Sequence, residues 1–276
     1  MLNDKPSIEK LRWIMSELRD PDTGCPWDIQ QTFKSIVSHT IEEAYEVADA
    51  IEQGDFIEIK KELGDLLFQV IFYSHLGLEL NEFDFDDVIL EICEKLIRRH
   101  PHVFSDSIFA TESEIKANWE NEKAKERQQK SNNVDISILA DIPKNLPALS
   151  QAMKIQKRCA HVGFDWHHID DVMAKVEEEI DEVKAELYPP NKQSVDNDLV
   201  AEELGDLLFA VVNLCRHAQT DPETLLRQAN RKFTQRFYSV ETQVKGSKKG
   251  FKEHSLEQLE QYWQQAKIQE KTTKAQ

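Results

Sequence analysis

With 276 residues the chain is long enough for one large or two ordinary domains, and 40% hydrophobic with 31% charged residues is typical of a soluble globular protein. The formal net charge of −17 argues against nucleic acid as a partner, because phosphate contacts require clustered lysines and arginines. The sequence has no run of 18 uncharged apolar residues and no apolar signal core, which predicts a protein without a membrane segment. Its four cysteines lack CxxC spacing, which predicts reduced thiols and a cytoplasmic location.

Helical periodicity runs through the first half of the chain. The helices it predicts are 7–19, 32–53, 56–80 and 84–99. Pro101 ends the last of these, and the turn-forming residues of 20–28 predict a loop. Thr111 and Glu114 have the spacing of a capping box, which predicts a further helix through Trp119.

The second half repeats this order. A polar stretch followed by two prolines predicts a linker at 127–146, and a loop at 163–166 resembles that at 26–28. Asp221 and Pro222 predict a helix start. No alternating strand pattern occurs, so we expect an all-α protein of tandem four- or five-helix units. The predicted divisions are 1–126, the linker, 147–268 and a frayed tail at 269–276.

A short acidic signature occurs once in each half. The first copy contains Glu42, Glu43 and Glu46, followed by Glu62 and Asp65. The second copy contains Glu178, Glu179, Glu182, Glu203 and Asp206. Its second part is nearly identical in the two halves, with the sequence ELGDLLF at 62–68 and at 203–209.

Carboxylates three and four residues apart share one face of a helix, so two packed helices can bring four of them together. Hard oxygen ligands in that number suit Mg²⁺, with Mn²⁺ as a substitute. The segment from Glu42 to Glu52 also fits a solvated acidic face. Glu62 and Asp65 are surrounded by apolar residues, which predicts a buried helix whose acids need a partner.

Basic residues follow each acidic signature at a spacing of four. Lys232 precedes Arg236, and Trp263 precedes Lys267. The first half has the matching pairs, which are Lys95 with Arg99 and Trp119 with Lys123. Lysine and arginine on one helical face can hold phosphate oxygens beyond a metal ion, whereas each tryptophan fits either a base or the core.

The acidic signatures, together with GCPWD at 24–28, RRHPHVF at 98–104, VGFDW at 162–166 and ANRKF at 229–233, resemble the MazG nucleotide pyrophosphohydrolases over almost the whole chain. The resemblance implies Mg²⁺-dependent hydrolysis of nucleoside triphosphates to the monophosphate and diphosphate, with broad base tolerance. It also implies a homodimer, in which a neighbouring protomer completes each site, and roles in clearing nucleotide pools and in the starvation response.

By the same resemblance, the metal ligands of the second copy are Glu179, Glu182, Glu203 and Asp206, and Glu178 or Glu179 serves as the general base. The nucleotide contacts that it implies are Lys232, Arg236, Trp263, Lys267 and Asn230. The corresponding ligands of the first copy are Glu43, Glu46, Glu62 and Asp65. Cys93 stands at the position of Asn230 there, so we expect the second copy to be the catalyst and leave the activity of the first open.

Two other classes of protein remain to be considered. A non-catalytic helical protein that uses metal-bound bundles for dimerisation or regulation fits the acidic pairs, although the trailing lysines and arginines argue against it. A di-iron bundle needs Glu-x-x-His on paired helices, and none of the nine histidines has that spacing. A narrower enzyme, of the dUTP or phosphoribosyl-ATP type, is not distinguished by the sequence.

Overall fold

A computed structural model of the protein describes residues 7–130, 137–190 and 194–274. All regular structure in these three ranges is helical, with twelve α-helices, which confirms the all-α tandem prediction. The chain divides into two compact units, Met1–Lys125 and Glu126–Gln276.

The described part of the first unit contains two short helices among five longer ones, the last of which continues past Lys125. Its helices are α1 Ile8–Leu18, α2 Pro26–Gln30, α3 Val37–Gln53, α4 Phe56–Glu79, α5 Phe85–Arg99, α6 Pro101–Phe104 and α7 Glu112–Lys130. The prediction of a loop over 20–28 is therefore wrong for its last three residues, because a helix starts at Pro26. Proline is favoured at a first helical position because the N–H it lacks would have no partner there.

Side chains and one glycine set the ends of these helices. Ser7, Asp55 and Asp84 each accept hydrogen bonds from backbone N–H groups in the first turn of the helix that follows them. Gly54 ends α3 with a φ of 74°, a left-handed conformation that glycine adopts without a steric penalty. Thr111 Oγ1 accepts from Glu114 N at 3.2 Å, as predicted, but Glu114 Oε2 accepts from Ala110 N.

A hydrophobic core closes the first unit. Phe72 and Ile71 on α4 are 2% exposed, and they cluster with buried apolar side chains from α1, α5 and the segment before α3. The buried members are Met15, Ile36, Ile71, Phe72, Leu76 and Phe85. Burying one large apolar side chain contributes about 1.5–3 kcal/mol, so the six buried side chains of this cluster contribute substantially to the stability of the unit.

Five α-helices begin within the described residues of the second unit. They are α8 Ala148–His161, α9 Ile169–Leu187, α10 Asn197–His217, α11 Pro222–Gly246 and α12 Leu256–Lys274, with a 3₁₀ turn at Phe251–Glu253. Asp221 accepts from Thr224 N and Pro222 is the first helical residue of α11, which confirms the predicted start. α9 packs along α10, and α11 packs along α12.

The predicted linker and tail are more structured than expected. α7 continues to Lys130, inside the predicted linker, and 131–136 lie outside the described residues. The rest of the linker packs on α8, because Arg158 donates to Ile138 O and to the Asp141 carboxylate, and Ile142 is buried. α12 extends to Lys274, so 269–274 form a helix instead of a frayed end, and 275–276 are outside the described residues.

The prediction that α4 is largely buried is wrong for its first half. Leu63, Leu67 and Val70 are exposed in the single chain, and they lie on one face at helical spacing. Leu204, Leu208 and Val211 form the same exposed stripe on α10. The apolar residues around the two acidic motifs therefore belong to an exposed face as well as to the core.

None of the described helices combines the length and the apolar composition that a membrane crossing requires.

Candidate functional site

The acidic residues of the second unit converge between α9 and α10. One carboxylate oxygen from each of Glu179, Glu182 and Glu203 lies within 4.8 Å of the other two. Partial desolvation raises the pKa of Glu203, and the negative charges of Glu182, Asp206 and Glu179 raise it further. Such a cluster is electrostatically unfavourable without a cation, because each carboxylate repels the others.

Glu179 is the most buried member of the cluster, with 5% of its surface exposed. Its Oε1 lies 2.8 Å from Lys175 Nζ, while its Oε2 is buried and has no hydrogen-bond partner among the described residues. Lys175 Nζ also lies 2.9 Å from Glu178 Oε1, and these two carboxylates raise the pKa of Lys175. A buried carboxylate oxygen without a donor is costly, which makes it a ready ligand for a cation.

The first unit contains a matching cluster between α3 and α4. One oxygen from each of Glu43, Glu46 and Glu62 lies within 4.8 Å of the others. Desolvation is the main cause of the raised pKa of Glu43, and Asp65 is the largest of the charges that add to it. His39 stands at the position of Lys175, and its Nδ1 lies 3.8 Å from Glu42 Oε2.

A cavity of about 250 Å³ adjoins the carboxylates of the second unit only through Glu179 and Asp206, which line its wall. The other lining residues come from α8, α9, α10 and the loop at 163–166. They are Ile155, Gln156, Cys159, Phe164, Asp165, Trp166, Val172, Lys175, Phe209, Ala210, Asn213 and Arg216. Most of this wall is aromatic or aliphatic, with a few polar groups, as in a typical ligand site.

An ion pair fixes the loop at 163–166 against α10. Arg216 Nη1 donates to Asp165 Oδ2 at 2.9 Å, Nη2 donates to Oδ1, and His217 Nε2 lies 3.1 Å from Oδ1. Burial alone raises the pKa of Asp165, but the hydrogen bonds from Arg216 and His217 outweigh it and lower the pKa. The cavity wall formed by Phe164 and Trp166 is thereby held in place.

The predicted nucleotide contacts of the second unit lie on the α11–α12 hairpin. Arg236 Nε donates to Glu270 Oε2 at 2.7 Å, and its guanidinium lies 5.8 Å from the centre of the Trp263 ring. Phe233 packs on Trp263 with 4.9 Å between ring centres. Within the described part of the chain, no hydrogen bond or ion pair joins Lys232, Arg236 or Lys267 to the carboxylate cluster. Asn230 on α11 is exposed.

The corresponding residues of the first unit make local contacts. Lys95 Nζ lies 3.9 Å from Glu91 Oε1, and Lys123 Nζ lies 2.5 Å from Glu120 Oε1. The Trp119 ring packs edge-on against His100 at 5.3 Å. Arg99 is in the last turn of α5, and Cys93 on the same helix is exposed.

Sequence reasoning missed three residues of the second unit. Lys175 precedes Glu179 by four positions, and this spacing predicts an ion pair on a helix, so the signal was present. Gln156 and Asn213 are buried in the cavity wall, and neither carries a signal by itself. Only a comparison of α10 with α4 would have drawn attention to Asn213, since Phe72 occupies its position in the first unit.

Comparison with known proteins gives the same division into two copies. A family profile described as the MazG nucleotide pyrophosphohydrolase domain matches residues 31–104 and again 168–240. The chain is 51% identical to the nucleoside triphosphate pyrophosphohydrolase of Escherichia coli K12 over 263 residues, which is 95% of this chain and 98% of that one. It is 41% identical to a MazG nucleoside triphosphate pyrophosphohydrolase/pyrophosphatase of Thermotoga maritima over 94% of this chain and 95% of that one.

The tandem helical fold with its two carboxylate clusters, taken with these relatives, places the chain in a class of nucleotide-cleaving hydrolases. With two profile matches and these full-length relatives, the chain belongs to the MazG nucleotide pyrophosphohydrolase family. A longer Bacillus subtilis protein, YabN, is also 42% identical over 94% of this chain, which spans 51% of that protein.

Proposed function

We propose that the second unit hydrolyses ribo- and deoxyribonucleoside triphosphates to monophosphate and diphosphate with Mg²⁺, and that Mn²⁺ can replace it. The observation that carries this proposal is the carboxylate cluster itself, with the buried and unpartnered Oε2 of Glu179. These hard oxygen donors fit a divalent cation better than they fit any arrangement of protein groups alone.

Glu179, Glu182, Glu203 and Asp206 would hold the cation. When bound, a divalent cation neutralises charge on phosphate oxygens and lowers the pKa of water. We assign the role of general base to Glu178, because its side chain is exposed beside the cluster whereas Glu179 is buried within it. Its carboxylate would take the proton from the water that attacks the α-phosphorus, and diphosphate would leave.

The α11–α12 hairpin would bind the leaving phosphates. Lys232 and Arg236 would hold the β- and γ-phosphates, with Lys267, Trp263 and Asn230 contacting the rest of the nucleotide. Arg236 would exchange the Glu270 carboxylate, which it binds at 2.7 Å, for a phosphate of similar charge. This exchange keeps the guanidinium neutralised before and after substrate binds.

We also propose a homodimer. The exposed stripes of α4 and α10 place three large apolar side chains beside each acidic motif, and Leu208 is 60% exposed in the single chain. Covering such stripes with a second copy would remove them from water and bring further helices to the carboxylates. We place the enzyme in the cytoplasm, where its substrates occur. We propose that it acts in nucleotide-pool clearance and in the starvation response.

Isotope labelling tests the reaction. The full chain is incubated with ATP and Mg²⁺ in ¹⁸O-water, and the products are identified by mass spectrometry. We expect AMP carrying one ¹⁸O and unlabelled diphosphate, and no turnover with excess EDTA. Release of ADP and phosphate, or label in diphosphate, would contradict attack at the α-phosphorus. No turnover at all would favour the non-catalytic scaffold.

A further inference from the structure

The cavity of the second unit adjoins the proposed metal site, on the side formed by α8 and the loop at 163–166. Glu179 and Asp206 belong both to the proposed metal site and to the cavity wall, so the two sites are continuous. At about 250 Å³ the cavity is smaller than typical pockets for drug-sized ligands, which start at about 300 Å³. A single ring system fits this space better than a whole nucleotide does.

The walls of the cavity suit a flat ring. Phe164, Trp166 and Phe209 supply aromatic surface, and Ile155 and Val172 supply aliphatic surface. Aromatic side chains stack on nucleobases of every kind, because each base has a π face. The ion pair between Asp165 and Arg216 holds the aromatic loop against α10.

Gln156 provides a specific polar group in this wall. Its side chain is 7% exposed, and its Nε2 donates to Phe209 O at 2.8 Å, which fixes the orientation of the amide. Its Oε1 is buried and lacks a hydrogen-bond partner in the described ranges. A buried acceptor without a donor is unfavourable, and a ligand that brings a donor would relieve that cost once a small shift of the Gln156 amide exposes Oε1 to the cavity.

In the first unit, side chains of the protein occupy the position that corresponds to this cavity. Counted from the shared ELGDLLF motif, Asn213 corresponds to Phe72 and Ala210 corresponds to Gln69. Phe72 is at the centre of the hydrophobic core, and Gln69 is buried with its Oε1 3.5 Å from Thr40 Oγ1. Two smaller residues on α10 therefore leave the space that the second unit keeps open.

We infer that this cavity binds the nucleobase of the substrate and that Gln156 Oε1 accepts a hydrogen bond from an exocyclic amino group on it. The inference rests on the proposed hydrolysis of nucleoside triphosphates by the second unit. Adenine and cytosine carry such an amino group, whereas hypoxanthine and uracil carry an oxygen acceptor in its place. The aromatic wall still stacks on all bases. The hydrogen bond to Gln156 therefore favours bases with an amino group but does not exclude the others.

Matched nucleotide pairs test the role of Gln156. ATP with ITP, and CTP with UTP, differ at the amino position, and kcat/KM is measured for each with the full chain and Mg²⁺. We expect the amino-bearing member of each pair to be favoured by about tenfold, as one hydrogen bond implies. The variant Gln156→Met should reduce both ratios to about one, while Gln69→Met, a buried glutamine outside the cavity, should leave them unchanged.

Filling the cavity tests its role as the base site. Asn213→Phe and Ala210→Gln each introduce the residue of the first unit, and circular dichroism verifies folding. We expect kcat/KM for ATP to fall about a hundredfold, because base stacking is lost. Ribose 5-triphosphate has no base, so its kcat/KM with each variant should stay within about twofold of its kcat/KM with the wild-type protein. The substitutions change the cavity and leave the phosphate site intact.

The outcomes separate the inference from the proposed function. Wild-type ratios of one, or ratios that persist in Gln156→Met, would overturn recognition by Gln156. Folded Asn213→Phe and Ala210→Gln proteins that retain wild-type kcat/KM for ATP would overturn the cavity as the base site. An equal loss with ribose 5-triphosphate would overturn it as well. If wild type releases no diphosphate from any nucleotide, the proposed function itself fails.

Discussion

The two units of the chain carry the same acidic motif on the same pair of helices, yet they differ in what lies beside it. In the first unit Phe72 and its neighbours form a closed hydrophobic core, whereas in the second the space beside Asn213 is a cavity continuous with the carboxylates. The lesson is that the same carboxylate cluster can stand beside a closed core in one unit and beside a cavity in the other. A substrate also needs room, and the residues that provide or remove that room lie one to three turns along the helix from the motif.

The charge next to the carboxylates differs in the same direction. Lys175 binds Glu178 and Glu179 at 2.9 and 2.8 Å, whereas His39 in the first unit lies 3.8 Å from Glu42 alone. The two carboxylates raise the pKa of Lys175 above its ordinary value, so this lysine is charged throughout the neutral range. The second cluster therefore keeps one compensating charge at neutral pH.

The largest expected effect separates the two clusters by activity. Glu182→Gln removes a proposed ligand of the second unit and should lower kcat for ATP by roughly 10³-fold, since charge stabilisation by the metal is worth several kcal/mol. The matched variant Glu46→Gln in the first unit should stay within about twofold, because a silent site has no turnover to lose. Diphosphate release measures both. A large loss in Glu46→Gln would show that the first unit is also a catalyst.

Truncation at the centre of each unit is expected to have unequal effects on stability. Phe72→Ala should lower the free energy of unfolding by about 3–5 kcal/mol, because it leaves a void in a closed core. Asn213→Ala should lower it by about 1–2 kcal/mol, since it removes one hydrogen bond beside an existing cavity. Urea denaturation followed by circular dichroism gives both values, and equal losses would mean that the two centres are packed alike.

The arginine clamps provide a third comparison. Arg19 donates through Nε and Nη2 to the two carboxylate oxygens of Glu79, both at 2.7 Å, which lowers the pKa of Glu79. Arg19→Met should cost about 2–3 kcal/mol of stability, below the value for fully buried pairs because Glu79 is 36% exposed.

Arg216→Met should cost a similar amount of stability, and it should also raise KM for ATP, since only the second clamp borders the cavity. Both variants are compared with wild type in urea denaturation and in steady-state kinetics. An unchanged KM in Arg216→Met would separate the clamp from substrate binding.

The smallest expected effect concerns pH. The folded-state pKa of Glu203 is raised above its ordinary value of 4.5, so its contribution to stability is full below about that pH and is lost as the pH rises through the raised pKa. Glu203→Gln should therefore raise the melting temperature of the metal-free protein slightly at pH 7, and the increase should nearly disappear as the pH falls to about 4.5. A higher midpoint at both values of pH would point to a cause other than this titration.

The sequence was sufficient for most of the long helices and for the convergence of three of the four predicted carboxylates in each unit, because both follow from spacing along the chain. It predicted the start of α11 from Asp221 and Pro222, and it paired the acidic motifs correctly within each unit. It did not predict the exposure of Leu63 and Leu208, because periodicity shows that a face is apolar but not what covers it. The cavity depends on side-chain volume in three dimensions, and Asn213 alone in the sequence reveals nothing about it.

The two arginine clamps also constrain how the repeated segments can change over evolutionary time. In the first unit the arginine follows α1 and its acid is on α4, whereas in the second the arginine is on α10 and its acid is in the loop. Recombination that copied the end of α10 and the three residues after it into α4 would place an arginine at the position of His75, beside Arg19, and a threonine at the position of Glu79. Copying the ELGDLLF segment from one repeat to the other would therefore be tolerated, whereas copying the residues that follow it would break an arginine clamp. Such a constraint would preserve the divergence of the two halves.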